Sequence, residues 1–63
     1  MFVALRNQSM TSVYVNVDNI LTIRFEGKKV FIWFFGQEEA SEFVGLTEEK
    51  WIEILNEMYP NNQ

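Results

Sequence analysis

Residues 30 to 35 read VFIWFF, six apolar side chains in a row between two lysines and Gly36. Successive side chains of a β-strand point to opposite faces of the sheet. A strand made of this run therefore presents apolar groups to both faces, and both faces need a cover if those groups are to leave water. The run predicts a small sheet with a core on one side and an apolar surface on the other.

Side-chain shape indicates which half of the run points inward. β-branched side chains pack well on a pleated surface, so we expect the core to receive Val30, Ile32 and Phe34. The far face then carries the aromatic side chains Phe31, Trp33 and Phe35. Residues of other predicted strands are expected beside them: Tyr14, Asn16, Arg24 and Arg6.

Three further stretches alternate as strands do: FVALR at 2–6, VYVNV at 13–17 and ILTIRFE at 20–26. Their core faces are predicted to hold Val3, Leu5, Val13, Val15, Val17, Leu21, Ile23 and Phe25. The turn at Glu26–Lys29 places Gly27 for a positive φ angle, as hairpins require. The stretch ASEFVGL at 40–46 is predicted as a fifth short strand, with a helical turn as the alternative.

The last element is an amphipathic helix, EEKWIEILNEMY at 48–59, with Thr47 as its N-cap. Its apolar side holds Trp51, Leu55 and Met58, and its exposed side carries an acidic face of Glu49, Glu53 and Glu57. The fold class predicted for residues 1–63 is α+β. One domain would hold a small antiparallel sheet of four to five strands, with the C-terminal helix packed on one face and a frayed tail at 60–63.

The chain lacks the side chains that catalysis uses most often, because it contains neither histidine nor cysteine. Without them the commonest general base, metal ligand and thiol nucleophile are missing. Glu38 and Glu39 are adjacent and belong to a turn, where carboxylates are solvated. We therefore predict no enzymatic activity, no catalytic residues, no metal and no cofactor.

The start of the chain predicts a cytoplasmic protein. Arg6 comes too early for the apolar region of a signal peptide. The longest apolar run has six residues, far fewer than the ~20 that a membrane-spanning helix needs. Membrane association is therefore not expected.

The aromatic face has three possible covers. Burying three large side chains stabilises by roughly 5–9 kcal/mol, more than the ~3–5 kcal/mol that the core of so small a domain supplies. The sheet could curl over its own aromatics, a second copy could dock there, or another protein could. We predict a homodimer whose contact is anchored by Phe31, Trp33 and Phe35, with Tyr14 and Arg24 as polar groups at its edge.

Charge is distributed unevenly along the chain, whose net charge is −4. Residues 1–36 carry a surplus of two positive charges, whereas residues 37–63 carry seven glutamates against one lysine. An acidic chain is a poor match for phosphates, so nucleic acid is not the expected partner. The second hypothesis for function is an acidic inhibitor of the phage type, whose helix face binds a basic, nucleic-acid-binding protein.

Part of the pattern is similar to that of the small FlbD-like proteins encoded with flagellar genes. The matching positions are Val13, Val15, Asn16, Ile20, Ile23, Val30, Ile32, Gly36 and the segment after Thr47. The strand FIWFF is more aromatic than the family's strand, and the turn EGKK is tighter. The resemblance implies an accessory role in motility rather than catalysis.

Overall fold

The computed structural model describes residues 1–59, and the predicted frayed tail at 60–63 lies outside the described residues. The elements are β1 (Phe2–Asn7), β2 (Ser12–Asn16), a 3₁₀ turn (Val17–Asn19), β3 (Ile20–Glu26), β4 (Lys29–Phe34), β5 (Ser41–Val44) and α1 (Glu48–Met58). All strand pairs are antiparallel. The predicted α+β fold, with a small antiparallel sheet and one C-terminal helix, is confirmed. The stretch at 40–46 forms a strand, not a helical turn.

The sheet is strongly curled. Its strand order is β2-β1-β5-β4-β3, so β2 and β3 are opposite edges that run in the same direction. Only the three residues Val17–Asn19 connect them, and four Cα–Cα steps reach at most ~15 Å. The edges of a flat five-stranded sheet would lie about 19 Å apart, with the end of β2 and the start of β3 at opposite ends of the sheet. The connection is therefore possible only because the sheet bends into an open barrel.

The core lies inside this curl. Val30 and Ile32 have no exposed surface, as the shape of their side chains predicted. The other buried apolar residues are Leu5, Val15, Val17, Phe43, Leu46 and Trp51. Trp51 and the half-buried Leu55 and Met58 bring the apolar side of α1 onto this core. The predicted inner face of the helix is confirmed.

Leu21 was predicted to lie in the core, and this prediction is wrong. Its side chain is 58% exposed. The register between β3 and β4 shifts between Ile20 and Thr22, because Ile20 pairs with Phe34 and Thr22 with Trp33. A bulge of this kind adds one unpaired residue to a strand, so Ile20 takes the inward position and Leu21 is turned out of the core.

Two local features that the sequence predicts, the glycine turn and the helix N-cap, are present in the structure. Gly27, at the β3–β4 turn, has a φ of 61°, a left-handed conformation that favours glycine. The Thr47 hydroxyl accepts a hydrogen bond from the Lys50 backbone N–H at 3.1 Å, which caps α1. In the part of the chain from Met1 to Tyr59, no helix is both long enough and apolar enough to cross a bilayer.

Candidate protein-interaction surface

The face of the sheet that points away from the core, here called the outer face, follows from the strand register. Directly paired residues of antiparallel strands share a face. Arg24 of β3 pairs with Phe31 of β4, and Phe31 pairs with Glu42 of β5. Arg24, Phe31 and Glu42 therefore form one row across three neighbouring strands, which we call the outer row. Trp33 lies two residues along β4 from Phe31, on the same face.

Arg24 covers two aromatic rings of this face. Its guanidinium carbon lies 5.2 Å from the centroid of the Phe31 ring and 5.3 Å from that of Trp33. Both distances fit cation–π contacts, and both aromatic side chains are half-buried. Arg24 Nε also lies 2.6 Å from Glu26 Oε2, with both side chains more than half exposed. The aromatic pair is thus partly covered by one long, exposed side chain rather than by a packed layer.

Glu42, at the other end of the outer row, belongs to the central strand and its side chain is only 20% exposed. Its Oε2 atom is buried and lies 3.3 Å from Lys29 Nζ. The geometry of that contact is too poor for a hydrogen bond, and no other group of residues 1–59 donates one to this oxygen. Glu42 is therefore held by charge and is not committed to a hydrogen bond within the fold.

A shallow apolar groove borders the outer row at the β3 edge. Its volume is about 380 Å³ and it is lined by Leu21, Thr22, Ile23, Arg24 and Trp33. The bulge that expels Leu21 supplies one wall of this groove. A larger hollow of about 480 Å³ is lined by residues 37–41, a mainly polar stretch without an aromatic side chain. The groove beside Trp33 is the better candidate for a contact because its walls are apolar.

The structure brings together some of the predicted contact residues and separates others. Arg24, Phe31 and Trp33 are neighbours, as expected. Tyr14 was expected beside the aromatic residues of β4, but it belongs to β2, which β1 and β5 separate from β4 in the strand order. Tyr14 is 73% exposed. Phe35 lies one residue beyond β4, in a turn, and is 57% exposed.

The acidic face of α1 is exposed as its spacing predicts. Glu49, Glu53 and Glu57 all point to solvent, and Lys50 Nζ lies 3.4 Å from Glu53 Oε2. Ion pairs at such exposure contribute little to stability. The face is available for contact with a basic surface.

A second cluster, at Asp18, was not predicted from the sequence, which indicates only a turn there. Asp18 Oδ2 accepts a hydrogen bond from the Met1 amino group at 3.0 Å, and Oδ1 accepts one from the Tyr59 hydroxyl at 2.8 Å. The residue thus links the 3₁₀ turn to the start of β1 and to the end of α1. These bonds lower the pKa of the Asp18 carboxyl, the amino group contributing most, and the bond to Asp18 raises the pKa of Tyr59. Partners 17 and 41 residues away give no local sequence signal.

The Asp18 cluster predicts a pH dependence of stability with a defined sign. A lowered carboxyl pKa stabilises the fold above the unfolded pKa of about 4 and ceases to do so as the pH falls through the folded value. The raised pKa of Tyr59 acts in the other direction: its contribution is present below about pH 10 and is lost as the pH rises through the folded value. We expect the urea midpoint of the native chain to exceed that of Asp18→Asn at pH 6, and the difference to shrink towards pH 3. Parallel curves for the two proteins across that range would contradict the assignment.

Comparison with known proteins finds no matching family model, no similar curated protein and no similar solved structure. The resemblance to the FlbD-like proteins therefore stays a prediction.

Proposed function

We propose that this protein is a non-enzymatic interaction module that self-associates through the outer face of its sheet. The observation that carries the proposal is the aromatic pair Phe31 and Trp33, covered on the described chain by the single guanidinium of Arg24. Aromatic residues and arginine are enriched at the centres of protein interfaces. Their concentration on one face of a very small domain, with only the Arg24 side chain over the aromatic pair, favours contact with another protein surface.

The energetics favour a second copy as the partner. The core residues of this chain lie inside the curl, so the outer aromatics add little to the stability of the monomer while they stay in contact with water. A domain near the lower size limit gains stability from oligomerisation. The commonest oligomer is a two-fold dimer, in which one self-complementary patch serves both copies.

Substitution of Trp33 tests this proposal. We expect Trp33→Ala to weaken self-association at least about thirtyfold, because truncation of an interface anchor costs about 2 kcal/mol or more. The measurement is the solution mass by size-exclusion chromatography with light scattering over a concentration series, at low and high salt. Circular dichroism checks that the variant is folded.

Tyr14→Ala is the matched control, since Tyr14 is an exposed aromatic residue of β2, which β1 and β5 separate from β4 in the strand order. It should leave the association unchanged. A native chain that is monomeric at every concentration would overturn the proposal, as would a Trp33→Ala variant that associates like the native chain.

An acidic inhibitor is the second candidate, favoured by the exposed row of Glu49, Glu53 and Glu57. Such a protein would bind a basic partner in a salt-sensitive way. Glutamine at these three positions would then abolish binding and leave self-association intact. A motility accessory role and a cytoplasmic location stay predictions, and each is compatible with either candidate.

A further inference from the structure

The charges of the outer row are arranged so that the row is complementary to a second copy of itself. From β3 to β5 it reads Arg24, Phe31, Glu42, which is positive, aromatic, negative. Neighbouring strands are about 4.8 Å apart, so the two charged residues stand at similar distances on either side of Phe31. Strand β4 is the centre line of this pattern, and it carries both Phe31 and Trp33.

Two copies can face each other through their outer faces, related by a two-fold axis that lies midway between them and parallel to β4. This axis places the β3 side of one copy over the β5 side of the other. Phe31 then lies over Phe31 of the second copy, and Arg24 lies over Glu42 of the second copy on both sides of the axis. An axis at right angles to the strands would instead place Arg24 over Arg24 and Glu42 over Glu42. Like charges in contact are strongly unfavourable across an interface, so the charge order selects the first axis.

We propose that a second copy of the chain binds the outer face and docks face to face about a two-fold axis along β4. This inference rests on the proposed self-association. Two intermolecular Arg24–Glu42 ion pairs would flank a central contact of Phe31 and Trp33. The curl of the sheet is compatible with this arrangement, because two convex faces touch along one strand and the strands on either side of it. For a contact line along β4 those neighbours are β3 and β5, which carry the charged ends of the outer row.

The side chains of Arg24 and Glu42 can exchange their partners within the chain for partners on a second copy. Arg24 is 55% exposed and is held within the chain by the equally exposed Glu26. Glu42 is reachable at 20% exposure and lacks a hydrogen bond to its buried oxygen. Lys29 also lies on β4 and would approach Lys29 of the second copy. The charge of each lysine is offset by Glu42, whose Oε2 lies 3.3 Å from the lysine Nζ.

The test reverses the charge at position 24 or 42 in separate variants and then mixes the two variants. Arg24→Glu alone should weaken the dimer at least about a hundredfold, since both ion pairs become repulsive, and Glu42→Arg should do the same. A mixture of the two variants places opposite charges at both positions of a heterodimer. We expect native mass spectrometry at low ionic strength to show mixed dimers with an affinity within about tenfold of the native one. The double variant should regain its homodimer for the same reason.

The outcomes separate this inference from the proposed function. A native dimer that is lost in Trp33→Ala, combined with a mixture that stays monomeric, would overturn the Arg24–Glu42 pairing and leave self-association standing. A monomeric native chain would overturn both. Dimers that survive Arg24→Glu unchanged would overturn the pairing alone.

Thiol cross-linking keeps the inference testable if arginine at position 42 prevents folding. The chain has no cysteine, so a single introduced thiol reports only on its own position. Facing sheets stack about 10 Å apart, too far for a direct disulfide, so the probe is a short bis-maleimide linker. Phe31→Cys lies on the proposed axis and should be cross-linked to a dimer. Thr22→Cys, at the edge of the same face, is the matched control and should remain monomeric. Equal cross-linking at the two positions would overturn the proposed axis.

Discussion

Replacing Ile32 with alanine is expected to leave most of the chain unfolded at room temperature. Ile32 is fully buried in the middle of β4, between β3 and β5. Truncation of a buried isoleucine to alanine costs about 2–5 kcal/mol, because apolar contacts are lost and a cavity remains. The core of a domain this small supplies only ~3–5 kcal/mol, so the loss is comparable with the whole stability.

Leu21→Ala is the control for Ile32→Ala. Leu21 lies on the neighbouring strand but is turned outward by the bulge and is 58% exposed. Its truncation should change the free energy of unfolding by no more than about 0.5 kcal/mol. Urea unfolding followed by circular dichroism measures both variants. If Leu21→Ala proved as destabilising as Ile32→Ala, the bulge and its register would be wrong.

The second large effect is expected for Trp51→Ala, which should lower the free energy of unfolding by about 3–5 kcal/mol. Trp51 is 7% exposed and is the most buried residue of α1. We expect the helix and the sheet to be lost in a single transition, since domains of this size unfold cooperatively. Far-ultraviolet circular dichroism reports the secondary structure, and tryptophan fluorescence from the remaining Trp33 reports the sheet.

Ile52→Ala controls for the loss of an apolar group from the same helix. Ile52 follows Trp51 directly but is 48% exposed. Ile52→Ala should lower the free energy of unfolding much less than Trp51→Ala does. A helix signal that disappears in Trp51→Ala while the fluorescence of Trp33 keeps its native transition would show that the sheet folds without α1, contrary to the prediction.

The proposed self-association would change the apparent stability of the native chain and its variants. Anything that binds only the folded state raises the apparent stability by mass action. The native chain and its variants are therefore compared at one protein concentration. A dilution series of the native chain then separates the stability of the monomer from the contribution of the proposed dimer.

The local patterns of the chain were sufficient to predict most elements. Alternation within VFIWFF placed Val30 and Ile32 inside and Phe31 and Trp33 outside, and the side chains follow that order. The N-cap Thr47 and the spacing of Trp51, Leu55 and Met58 predicted the helix and its inner side. Such signals are readable because they depend on residues no more than a few positions apart.

Predictions that depended on distant partners were less successful. The bulge at Leu21 arises where β3 meets β4 near the connection from β2, and alternation along β3 alone cannot indicate it. Tyr14 points outward like the aromatic residues of β4, but β1 and β5 lie between its strand, β2, and β4 in the strand order. The Asp18 cluster joins both ends of the described chain at one turn, and no short pattern marks it.

Residue type and local periodicity are enough to establish which side chains are apolar, how they alternate and where the helix begins. The neighbours of each strand, and with them the row of Arg24, Phe31 and Glu42, are established by the folded sheet. Residues 24, 31 and 42 become adjacent through strand pairing across a hairpin and a longer turn. The charge order that predicts a self-complementary surface is therefore a property of the folded sheet.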